Sequence, residues 1–171
     1  MDLLHQKILA HTYTVASAHH SLGTLRHVLE QVFFVSDDSE ETVEERYRVA
    51  LTHLSDSDQR RLVDFGTKWL VDFSQSNLHQ HILDLQKWLS EIPTITLYVP
   101  VIFEEEQIAW LGEWCRAEID NQILLELVVD PATVGGCAFV HNHIYYDMSL
   151  RARIADMPDA VANVLKRYES A

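Results

Sequence analysis

At 171 residues and 47% apolar side chains, the chain is long enough to bury a core as one domain or two small ones. Its 26 acidic residues against 13 basic ones give a net charge of -13, which repels a phosphate backbone or an anionic bilayer and excludes them as the obvious partners. A basic or amphipathic helical partner suits that charge better. With 23% charged residues it is not a disordered chain. No apolar run approaches the roughly 20 residues that cross a bilayer. Cys115 and Cys137 stand far apart without a leader pattern ahead of them, so a reducing cytoplasmic setting is expected rather than a disulfide framework.

Up to Ile92 the apolar residues recur at helical spacing. Leu4, Ile8 and Val15 mark a first helix, and Leu22, Leu25, Leu29, Val32 and Phe33 a second. Residues 37–39 break the pattern and offer caps for a third helix carrying Val43, Tyr47, Leu51 and Leu54. Ser55, with Asp58 three residues on, predicts a capped fourth helix that shows Leu62, Phe65, Trp69, Leu70 and Phe73 on one side. After Asn77 a fifth helix carries Leu78, Ile82, Leu85 and Leu89 until Pro93 stops it, because the residue before proline is pushed out of the helical region.

From Thr94 the period falls to two. Residues 94–101 predict a strand, residues 104–119 a helix with Ile108, Leu111, Cys115 and Ile119 on one face, and residues 123–129 a second strand before Asp130 and Pro131 turn the chain. Glu104, Glu105 and Glu106 open that helix, where its dipole favours negative charge without any metal. Residues 137–141 and 144–146 are β-prone around Asn142 and His143, a tight hairpin; Gly135 and Gly136 ahead of it permit a bulge or a close approach of backbone. Ser149 caps a helix that starts at LRARI, and Asp156 with Pro158 opens a last one with Val161, Leu165 and Tyr168 as its stripe. The fold class predicted is therefore α+β: an all-α helical bundle over residues 1–91, then a small α/β domain with a β-hairpin over residues 92–171.

Catalytic schemes find little support. Of ten histidines, His79 with His81 and His141 with His143 have the two-residue spacing that pairs imidazoles on one strand face. The first pair falls in a helical pattern and the second flanks a hairpin tip, so neither reads as a ligand pair; His19 and His20 read as a solvated helix boundary. The letters HNH also name a nuclease, but that chemistry needs a dispersed metal arrangement and a surface that tolerates DNA. Both cysteines read as small buried residues, and no P-loop, GxGxxG or GxSxG occurs. Trp69, Trp88, Trp110 and Trp114 recur at helical spacing and read mainly as core; Trp88, beside rather than within its helix's stripe, is the candidate for a partner groove.

One run of motifs carries a resemblance. A strand (TLYVP), a helix opening in acid (FEEEQ), a strand ending in Asp-Pro (LLELVVDP), the pair Gly135 and Gly136, a hairpin, and Asp147, Ser149 and Arg151 in D-x-S-x-R-x-R follow one another over residues 95–154. This order resembles the C-terminal region of the delta subunit of F-type ATP synthases, the family of the oligomycin-sensitivity-conferring protein. The chain departs from the family pattern at Met148 and Asn142, where glycine is usual, and HTYTVASA is a loose counterpart of the family's N-terminal pattern. The resemblance implies a divergent, non-catalytic stator subunit without cofactor. Its helical domain would bind the N-terminal helices of the alpha subunits, and its C-terminal domain the C-terminus of the peripheral stalk (b) subunit. It implies a peripheral place on the cytoplasmic side of a bacterial inner or plasma membrane. Asp130, Pro131, Gly135, Gly136, Asp147, Ser149 and Arg151 would hold the C-terminal fold or the stalk contact. A helical adaptor outside that enzyme is the second expectation, and a metal-dependent hydrolase a distant third.

Overall fold

The computed structural model describes residues 2–34 and 42–158. The fold is α+β, with helices in the N-terminal part and a four-stranded sheet in the C-terminal part. The chain divides into two compact units, Met1–Pro93 and Thr94–Ala171.

The first unit holds α1 (Asp2–Ala10), α2 (Val15–Phe34), α3 (Val43–Leu51), α4 (Asp56–Phe65), a 3₁₀ turn (Lys68–Asp72) and α5 (Leu78–Glu91). The first predicted helix ends before Val15. The Thr12 hydroxyl donates to the Ile8 carbonyl at 2.7 Å, and Thr14 and Ser17 exchange hydrogen bonds that start α2 instead, so Val15 opens the second helix. His19 and His20 consequently lie inside α2 rather than at a boundary, and His20 Nε2 stands 3.0 Å from Asp58 Oδ1.

Helix α3 is capped by Thr42, whose hydroxyl accepts from the Glu45 amide at 3.3 Å while the Glu45 carboxylate accepts from the Thr42 amide at 2.8 Å. Residues 37–39, the predicted caps, lie outside the described residues. Leu54 falls in the turn after α3.

Ser55 caps α4 as predicted, accepting from the Asp58 amide. The long fourth helix is not continuous. Gly66 at φ +72 ends α4, and Trp69 and Leu70 belong to the 3₁₀ turn that follows, locked by a Trp69 Nε1 donation to the Gly66 carbonyl at 2.8 Å. This break lets Trp69 stand edge-on to both Tyr47 and Phe73, at centroid distances of 5.6 and 5.5 Å. Buried Tyr47 donates its hydroxyl to the Leu62 carbonyl, and burial pushes its phenol above the ordinary range. Helix α5 buries Leu78, Ile82, Leu85 and Leu89, each contributing about 1.5–3 kcal/mol by leaving water.

The second unit holds β1 (Thr94–Val99), α6 (Glu105–Glu118), β2 (Leu124–Val129), a 3₁₀ turn (Pro131–Thr133), β3 (Ala138–His141), β4 (Ile144–Asp147) and α7 (Leu150–Asp156). The sheet order is β2-β1-β3-β4. Strands β1 and β2 run parallel from Thr94↔Leu124 to Val99↔Val129, which requires the crossover that α6 supplies. Strand β3 is antiparallel to β1 and β4 is antiparallel to β3.

Alternation sends Ile95, Leu97, Val99, Leu125 and Phe139 to one face, where they pack with Cys115, Ile123 and Leu111. The other face carries Thr96, Tyr98, Glu126, Val140 and Tyr145, with the Thr96 hydroxyl donating to Glu126 at 2.7 Å across the strands. Ile119, predicted on the inner face of α6, is instead exposed at the helix end. Asp156 closes α7; Val161, Leu165 and Tyr168 lie outside the described residues.

Candidate functional site

Residues 130–153 form one hydrogen-bonded joint. The Asp130 amide donates to the Val99 carbonyl at 2.8 Å, tying the end of β2 to β1, and its carboxylate accepts from the Ala132 amide at 2.9 Å to start the turn that Pro131 fills. Val134, Gly135 and Gly136 then follow at φ +50, +100 and +73. At Gly136 a Cβ would sit 2.5 Å from the Met148 carbonyl oxygen and 3.2 Å from the Ser149 Cα, so both conformation and space demand glycine. At Gly135 only the conformation does, since the nearest atom is the Leu150 Cβ at 3.8 Å. The close approach at Gly136 is where the chain returning from β4 crosses: Met148 N donates to the Cys137 carbonyl, and Leu150 N to the Gly135 carbonyl at 2.9 Å.

The hairpin tip takes Asn142 at φ +50 and His143 at φ +64, the pair of positive values that a two-residue turn of matching twist requires. Asn142 signals this in the sequence, whereas His143 does not. Beyond β4, the Asp147 carboxylate accepts from the Ser149 amide at 2.9 Å, and buried Ser149 accepts from the Ala152 amide to start α7. Hydrogen bonds from the Ser149 side chain and backbone, helped by the Arg151 charge, hold the Asp147 carboxyl below the usual carboxylate range.

Asp130, Tyr145, Asp147, Ser149 and Arg151 thus come together around a polar hollow of about 240 Å³. Desolvation and the Asp147 and Asp130 charges push the Tyr145 phenol upward, which favours its protonated form. The Asp130 and Asp147 carboxylates accept from the Ala132 and Ser149 amides, and the Ser149 hydroxyl accepts from the Ala152 amide at the start of α7.

The histidines remain dispersed. β3, β4 and α7 do follow one another in ββα order, yet no group of three or more His, Cys, Asp or Glu side chains able to hold a metal gathers among the described residues. His141 Nε2 lies 3.2 Å from the Asn142 amide nitrogen. His79 stacks on Phe34, and His81 meets Phe73 edge-on. Cys115 is buried, which raises its thiol pKa, and Cys137 is half-buried; both are free thiols. Trp88, the sequence's candidate for a partner groove, is half-buried and stacks on His5 at 4.0 Å, joining α5 to α1.

A different tryptophan borders a groove. Beside α6, Leu97, Val99, Phe103, Glu106, Gln107, Trp110, Leu111 and Cys137 line a hollow of about 460 Å³. Trp110 is 68% exposed and Trp114, one turn on, is 50% exposed. The sequence held a signal for this. Ile108, Leu111 and Cys115 define the inner face of α6, and Trp110 and Trp114 fall off it, so they had to point elsewhere.

Compared with known proteins, the chain matches no family model and no curated protein. No helix among the described residues is long and apolar enough to cross a membrane.

Proposed function

We propose that the chain is a non-catalytic stator subunit of an F-type ATP synthase, joining the catalytic head to the peripheral stalk. The observation that carries this reading is the joint at residues 130–153. The residues of the resemblance, Asp130, Pro131, Gly135, Gly136, Asp147 and Ser149, are spent on backbone turns, a close crossing and a helix cap. Arg151 adds a charge beside Asp147. A fold signature without chemistry is what a static connector needs.

In this reading the helical unit takes the N-terminal helices of the alpha subunits and the sheet unit takes the C-terminus of the stalk (b) subunit. Helix-in-groove packing resists torque while leaving no group to titrate. The subunit would lie at the cytoplasmic side of a bacterial inner or plasma membrane, held there through the complex. The net charge of -13 suits protein partners rather than nucleic acid or direct lipid contact.

A helical adaptor working outside a rotary enzyme is the second reading, favoured by the apolar groove beside Trp110, which any amphipathic helix could use. Affinity purification of the tagged chain from its own cells separates the two. Alpha and stalk subunits at stoichiometric yield, with ATP-driven proton pumping lost on deletion of the gene, support the stator. Intact pumping after deletion sinks it.

A further inference from the structure

Resting on the reading above only in taking the chain's partners to be helices, we propose that the groove beside α6 seats an amphipathic helix bearing Lys or Arg next to its apolar stripe. Leu97, Val99, Phe103, Leu111 and Cys137 line it, so an apolar row finds apolar contact along the hollow. The volume of about 460 Å³ accommodates several side chains rather than one. Trp110 and Trp114 stand four residues apart on α6 and make an exposed ridge, the spacing against which the rows of a second helix interlock.

Charge selects the occupant. The polar lining is Glu106 and Gln107, the exposed Glu104 and Glu105 precede them, and no basic residue lines the hollow. Arg116 lies farther along α6 with its Nε directed to the Ile123 carbonyl. A cation entering beside Glu106 gains an ion pair next to the exposed Trp110 ring, whereas a carboxylate or phosphate meets repulsion. A helix with basic flanks therefore fits, and an anionic lipid does not.

The test uses the full chain and a synthetic helix with a leucine stripe flanked by lysines, compared with a glutamate-flanked counterpart, by calorimetric titration. The lysine form should bind and the glutamate form should not. Trp110→Ala should weaken binding about thirtyfold, the loss expected of a hot-spot truncation, while melting like the parent because the ring is largely exposed. Glu106→Lys should weaken it severalfold at low salt and little at high salt. Equal binding of the two peptides, or parental affinity in Trp110→Ala, overturns the assignment. Self-association lost in Trp110→Ala, without peptide binding, gives the groove to a second copy and overturns it too. The stator reading stands or falls separately. Peptide binding through Trp110 without copurifying ATP synthase subunits keeps the groove and removes the stator, whereas stalk retention unchanged in both variants keeps the stator and removes the groove.

Discussion

In the helical unit Tyr47, Trp69 and Phe73 meet edge to face in the interior, while in the sheet unit Trp110, Trp114, Tyr145 and Tyr146 lie at the surface. Both units are rich in aromatic residues at helical or strand spacing, so aromatic content alone does not mark a binding surface. What differs is the relation of each ring to its element's inner face. Trp69 follows a glycine break that turns it inward, whereas Trp110 sits on an unbroken helix whose inner face is already occupied by Leu111 and Cys115. Tyr47, Trp69 and Phe73 are buried in the first unit, and Trp110 and Trp114 are left exposed in the second.

Two substitutions would break that contrast if it is wrong. Trp69→Ala should destabilise the protein by about 3–5 kcal/mol, since it removes a ring only 2% exposed together with its contacts to Tyr47 and Phe73. Trp110→Ala should stay within about 0.5 kcal/mol of the parent. Urea denaturation followed by circular dichroism measures both, and comparable losses would erase the distinction.

The glycine pair sharpens the same comparison inside the sheet unit. Gly136→Ala should cost about 3 kcal/mol, because a positive φ and a carbonyl oxygen 2.5 Å from the new Cβ act together. Gly135→Ala meets only an ordinary contact with the Leu150 Cβ at 3.8 Å and should cost about 1–2 kcal/mol from conformation alone. Equal losses would mean that the crossing with Met148 is looser than the geometry indicates.

Much of this was legible in the sequence, for identifiable reasons. The stripe Leu78, Ile82, Leu85 and Leu89 ending at Pro93 gave α5, and Asn142 between β-prone runs gave the hairpin, because period and turn chemistry are local properties. The single long fourth helix failed since Leu62, Phe65, Trp69 and Leu70 keep a helical period across Gly66, and only tertiary packing decides whether a glycine interrupts it. The first helix failed similarly: Val15 continues the period of Leu4 and Ile8, but threonine and serine side chains bond the backbone locally and start a new helix. Of the site residues, the turn and cap positions could be read, since each has a distinctive backbone need. The groove could not, as it is assembled by β1, α6 and the residue before β3, and spacing along one element says nothing of where another leaves space.

Helix starts allow a smaller test of the first unit. Thr42→Ala removes the hydroxyl that accepts from the Glu45 amide and should cost about 1 kcal/mol. The loss should appear in urea denaturation with the slope unchanged, as expected for a local cap; a changed slope would instead point to altered compactness.

The smallest effect concerns acid and the joint in the second unit. Asp147 is held below its ordinary value of 3.8 by Ser149, so its ionised form is favoured in the folded state. Such a group contributes stability that is fully present above the unfolded value and disappears as pH falls through the folded one. Asp147→Asn should therefore be less stable than the parent at neutral pH, with the gap narrowing below about pH 4 as the parent's carboxylate is protonated and its bonds with Ser149 weaken. Glu45 in the first unit is also lowered, by its bonds with Thr42, so both proteins will lose stability in acid. Only the difference between them reports on Asp147. A gap constant from pH 7 to pH 3 in thermal melts would show that the Asp147 and Ser149 contact is a matter of shape rather than charge.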